Sequence, residues 1–287
     1  MKRLSLLLAV AIITVGSITA QQNIFGYRRH ELSVFAGGGL STLQYDPATG
    51  ARKNGVGFMA GGGYTYFFTP AAGFGTGLEI AMYQANASLK DFTDSYDVSG
   101  GATVDNYTYS YALKNYSETQ RVFALSVPLM LHFESGMRNK FFVRLGGKVG
   151  IPFITTGIAK KYEVATKGYF PHEGRTYDDL PQFGFGTYEY SRKRTSIDNF
   201  KLSYMASLET GLKRAVDRNN DLYIGLYVDY GLNNIQNKND KNFVRGTLSE
   251  DKPKMSSIIE SQYKNAPFTD KITPLAVGLK LRFTFLR

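Results

Sequence analysis

Between positions 272 and 285 apolar residues recur at every second place. Leu275, Val277, Leu279, Leu281, Phe283 and Phe285 fall on one face, and Ala276, Gly278, Lys280, Arg282 and Thr284 on the other. Successive side chains of an extended strand point to opposite sides, so this spacing specifies a β-strand with one apolar and one small or polar face. At about fourteen residues it is long for a strand in a soluble domain, where about five or six is usual. The same alternation recurs near 31–43, 55–69, 73–88, 119–134, 140–158, 199–214 and 222–235. In the fifth of these eight stretches, Phe141, Val143 and Leu145 oppose Arg144, Gly146 and Lys148.

The connections also follow a rule. Short turns are expected at 70–73, 135–139 and 215–221, and longer polar stretches at 44–54, 90–118, 160–198 and 236–270. Eight up-and-down strands would put all short turns at one end and all long loops at the other, an asymmetry found in transmembrane barrels. The composition of the two faces decides between such a barrel and a water-soluble one. The polar set is dominated by Gly, Ser, Ala and Thr, which suit a narrow lumen, whereas the apolar set carries the large Leu, Val, Ile and Phe that suit lipid. Open sheet edges in hydrocarbon would leave backbone groups unsatisfied, so the sheet has to close. The expected fold is all-β: an eight-stranded antiparallel up-and-down transmembrane β-barrel. Its fourth strand is expected to bulge at Pro128, which lacks a ladder donor.

The inward set carries charges of both signs: Glu79, Arg144, Lys148, Glu209, Asp229, Lys280 and Arg282. An eight-stranded barrel is just wide enough for side chains to fill it. Unpaired buried charges are costly, so these residues are expected to form an ion-pair network that plugs the lumen. The competing reading is a charged gate for small solutes.

The first twenty residues read as a secretory signal peptide: Lys2 and Arg3, an apolar run at 4–15, then small residues ending at Ala20. Its removal from the 287-residue chain leaves 267 residues (21–287) and, with Lys2 and Arg3 gone, a net charge of +8. This length fits one β domain. No later run is long and apolar enough for a membrane-spanning helix. There is no Cys, so neither a disulfide nor lipid attachment at a cysteine is possible. No block of five or six like charges suggests nucleic acid as a partner.

The charged leader, the glycine-rich strand segments Phe35-Ala36-Gly37-Gly38-Gly39 and Met59-Ala60-Gly61-Gly62-Gly63, and the alternating last strand resemble the small outer-membrane β-barrel proteins. These are often labelled porin family and are similar in architecture to the OmpA and OmpX membrane domains. The resemblance covers the whole mature chain in pattern. It implies a Gram-negative outer-membrane location with both termini in the periplasm, contact with lipid and lipopolysaccharide, and insertion by the barrel-assembly machinery. That machinery reads a terminal aromatic residue in the family; here Phe283 and Phe285 are the candidates, although Leu286 and Arg287 follow.

Catalytic and cofactor motifs are not found. Three histidines, no HExxH, no GxSxG and no Walker-type loop give no metal, cofactor or nucleophile site, and the expectation is a protein without enzymatic activity. His132 beside Ser135 is the one pair worth testing for lipid-directed chemistry. Functional weight therefore falls on the long loops, as candidates for a surface ligand. In 160–198 Tyr162, Tyr169, Phe170, Tyr177, Phe183, Phe185, Tyr188 and Tyr190 are either a binding surface or strands continuing above the membrane. Arg192, Lys193 and Arg194 form a basic cluster placed to meet lipopolysaccharide phosphates.

Overall fold

The computed structural model describes residues 29–100, 105–135, 139–197, 200–217, 219–237, 240–246 and 252–285. The leader and its cleavage site lie outside the described residues. Eight long strands carry the architecture: β1 (His30–Gln44), β2 (Val56–Thr69), β3 (Ala72–Val98), β4 (Tyr107–Ser135), β5 (Asn139–Ala159), β6 (Ser203–Ala215), β7 (Asp221–Gly231) and β8 (Thr273–Thr284). Each follows the alternating stretch that predicts it. Each pairs antiparallel with the next in chain order, and β8 pairs with both β7 and β1.

At the β1–β8 seam the register runs from Ser33 opposite Thr284 to Gln44 opposite Thr273, with Gly39 opposite Gly278. A Cβ on Gly278 would stand 2.2 Å from the Gly38 carbonyl oxygen, so the seam needs a residue without a side chain there.

The strand count exceeds eight: the described residues hold eighteen strand segments. Most of the stretch 90–118, expected as a loop, is strand, because β3 and β4 continue paired up to Val98 opposite Tyr107. Within 160–198, Tyr162–Phe170 pairs with the upper part of β4, and Gly186–Tyr190 pairs with Tyr162–Phe170 in turn. Lys193–Ser196 pairs with β5. The bulge is also displaced from its expected place. Pro128 stays in register opposite Lys148, and the register shift lies where Phe123 and Ala124 face Ile154 and Pro152.

The side chains are distributed inside out relative to a soluble domain. Leu226, Leu279 and Leu281 are 56%, 63% and 53% exposed, whereas Glu79 and Asp229 are fully buried. The exposed apolar side chains form a continuous belt on the outer faces of the eight strands, including Leu208, Ile224, Val228, Val277 and Leu145. Aromatic residues mark its two ends. Phe58, Phe123 and Phe153 form one row, with ring centroids 6.3 and 6.5 Å apart, while Phe68, Phe133, Phe141 and Phe285 lie at the other end.

Candidate functional site

The strands bring their inward charges together in two layers. In the upper layer Lys148 Nζ donates to Glu79 Oε1 at 2.7 Å and to Asp229 Oδ2 at 2.8 Å. Asp229 also accepts from Ser207 Oγ at 2.6 Å. Lys280 Nζ lies 3.5 Å from Glu79 and 3.2 Å from Glu209. Arg282 Nη2 reaches Glu209 at 3.1 Å, and its Nη1 donates to Ser33 Oγ at 3.1 Å. The Phe35 ring lies under both cations, 4.1 Å from Lys280 Nζ and 4.7 Å from Arg282 Cζ.

Six of the seven residues expected in the lumen network thus touch one another through a chain of ion pairs. The seventh, Arg144, is buried opposite Glu209 in register but forms no ion pair among the described residues. The void bounded by Arg144, Lys148, Glu209, Lys280 and Arg282 is about 10 Å³. That is at or below the space one water molecule needs.

The second layer lies toward the short turns and was not anticipated as a cluster. Lys213 Nζ donates to Glu31 at 2.7 Å and to Glu134 at 2.8 Å, and lies 3.5 Å from Asp221. The Tyr223 hydroxyl sits between the same two glutamates, 2.8 Å from Glu31 and 2.7 Å from Glu134. His132 Nε2 is 3.0 Å from Glu134 Oε1, and Lys140 Nζ donates to Glu134 Oε2 at 2.9 Å. The signal was available: Glu31, Lys213 and Tyr223 belong to inward sets, two or more positions closer to the strand ends. His132 is committed to this layer while Ser135 is exposed, so the two do not form a nucleophile–base pair.

Beyond the apolar belt the long connections build a packed cap. Tyr109, Leu113, Val164, Phe185, Phe243 and Phe268 are almost fully buried in one aromatic-rich core. Of the eight aromatic residues in 160–198, Tyr162, Phe170, Phe185 and Tyr190 are buried, Tyr177, Phe183 and Tyr188 partly so, and only Tyr169 is exposed.

The described parts of the stretch 236–270 fold inward over the mouth of the strands, where Ile258 and Ser261 are fully buried and Ser257 and Ile259 nearly so. Its anchor is Glu118 on β4, five residues above Phe123. The carboxylate accepts hydrogen bonds from Ser257 Oγ, from the Ile258 N–H at 3.0 Å and from the Tyr116 hydroxyl at 3.1 Å. Burial pushes its pKa above the ordinary carboxylate value despite these donors. Burial likewise pushes the Tyr96 hydroxyl up to about 12, so it stays protonated and donates to the Val244 carbonyl at 3.1 Å.

No group of His, Asp or Glu able to hold a metal ion exists among the described residues. No curated protein matches the chain. A major outer membrane protein from Thermus thermophilus is similar at 13% sequence identity and a TM-score of 0.39, over 90% of this chain and 100% of that one. Residues 19–156 match the family model described as outer membrane protein beta-barrel domain. That stretch of just under half of the chain is thus similar to an outer membrane protein beta-barrel domain, and the long strands of the main sheet pair antiparallel throughout.

Proposed function

We propose that β1–β8 form a closed eight-stranded barrel across the outer membrane, with a lumen sealed by its own side chains and a cap of surface loops. The protein is non-enzymatic in this reading and serves surface interaction or envelope integrity. The observation that carries it is the inversion of polarity: ion pairs fill the inside and large apolar side chains cover the outside. A lipid-facing belt about 25 Å tall with aromatic girdles is the form such barrels take. The outward set runs from Leu275 on β8 to Phe285 just past its end, a span of the about 9–11 residues a tilted strand needs to cross.

In this orientation the leader directs export, both termini are periplasmic, and the cap stands outside the cell. Lipid surrounds the belt, Arg192, Lys193 and Arg194 meet lipopolysaccharide phosphates, and Phe283 and Phe285 are the residues read by the assembly machinery. The sealed lumen is favoured over a narrow channel by the void of about 10 Å³ at the upper charge layer.

A gel-mobility assay on purified outer membranes tests the closed barrel. The unboiled protein should migrate differently from the boiled one, and identical mobilities would count decisively against it.

A further inference from the structure

Among the described residues of the cap one large hydrophobic side chain is strongly exposed. Tyr169, 43% exposed, stands on the outer face of the cap. The sheet there consists of the upper parts of β3 and β4, then Tyr162–Phe170 and Gly186–Tyr190. Register sets Ser95, Ser110 and Lys167 in one row across it and Ala112, Ala165 and Thr187 in the next. These small and hydroxylated side chains floor a cleft of about 850 Å³. One end is walled by the Lys264–Asn265 hairpin tip and the other by Asp178. Lys167 and Asp178 are exposed and form no ion pair among the described residues. Tyr169 projects from the same face as Lys167, two positions along the strand.

We propose that this cleft binds an oligosaccharide chain. The volume is that of a small-molecule site. Four strands at about 4.7–4.9 Å spacing give a floor roughly 14 Å across, long enough for several linked sugars. A sugar supplies many hydroxyl donors and acceptors, which Ser95, Ser110, Thr187, Lys167 and Asp178 complement. It also offers an apolar ring face to pack on the exposed Tyr169, a rigid amphipathic platform.

Other ligand classes fit less well. A peptide adding as a strand needs unpaired backbone groups at a sheet edge, and this floor is a sheet face. An acyl chain needs an apolar floor. Nucleic acid needs concentrated positive charge, and here Lys167 and Lys264 are offset by Asp94 and Asp178. The proposal rests on the reading that the cap faces outward.

The test uses the full chain in detergent against an array of neutral and N-acetylated oligosaccharides, the organism's own delipidated surface polysaccharide and a peptide array. Binding to the free oligosaccharides identifies a foreign glycan, and binding to the polysaccharide identifies the cell's own. Tyr169→Ala should weaken the best binder at least tenfold, and Ser110→Trp, which fills the floor, should abolish it. Both variants should keep the mobility shift of the folded barrel. No glycan bound, a preference for peptides, or binding indifferent to both substitutions would overturn the site.

Orientation is separately readable because the chain has no Cys. Tyr169→Cys should react with a membrane-impermeant maleimide on intact cells. Labelling only after lysis would sink the outward-facing cap itself.

Discussion

Lys148 shows how much rests on single residues inside this molecule. Its ammonium, 3% exposed, joins two fully buried carboxylates on different strands, Glu79 on β3 and Asp229 on β7. Replacing a buried ion pair by well-packed apolar groups is often harmless, but removing one partner strands the other without water. Lys148→Met should therefore destabilise the barrel by roughly 3–5 kcal/mol. Adding Glu79→Gln and Asp229→Asn to it should recover much of that loss. Urea unfolding in lipid vesicles, followed by the gel-mobility shift, measures both. Equal stability of Lys148→Met and wild type would show that the charges are not sealed from solvent. All seven inward charges named from sequence are buried, because inward position follows from odd or even place in a strand. Their partners were not legible, since pairing depends on which strands face one another across the lumen.

At the scale of elements, the segment around Ile258–Glu260 is held to the barrel mouth through Glu118. The docked carboxyl binds its proton more tightly than it does in the free chain, because burial raises its pKa. Docking is thus fully stable below the ordinary carboxylate pKa and loses stability as pH rises through the raised folded value. Hydrogen exchange over 252–263, corrected for intrinsic rates, should speed up across that rise. Glu118→Gln keeps the hydrogen-bonding shape without a titrating proton and should flatten the dependence. Persistence of the dependence in Glu118→Gln would assign it to another group. The docking of this element was not legible in the sequence for a physical reason: 236–270 is polar on average, yet Phe243, Ile258 and Phe268 are scattered so that only a folded-over loop buries them together. The stretch 90–118 was misread similarly. Its Tyr107, Tyr109 and Tyr111 alternate as a strand should, but the cover of Tyr107 and Tyr109 comes from a distant residue, Phe185, and that of Tyr116 from Phe243.

For the whole molecule, the proposed barrel would have its lumen blocked by the two charge layers in series. Conductance through a narrow pore is limited by its tightest section, so opening one layer should leave the other as a seal. Planar-bilayer recording should show a silent wild type. Silence should persist when Lys148, Glu79 and Asp229 alone are changed to Ala. Unitary openings should appear once Lys213, Glu31 and Glu134 are truncated as well. Steady openings in the wild type would replace the sealed barrel with the channel. The amino-acid sequence by itself determined the strands and their two faces, since both follow from a period of two that each residue carries locally. It also placed charge on the inside, because the same alternation that turns Leu279 and Leu281 outward turns Lys280 and Arg282 inward. Tertiary structure alone decided which charges meet, left Arg144 without an ion pair among the described residues, gathered Glu31, Glu134 and Lys213 into a second layer, and lifted the loop aromatics into a cap. Those outcomes depend on register and on contacts between residues as far apart as Glu31 and Tyr223, which no local periodicity encodes.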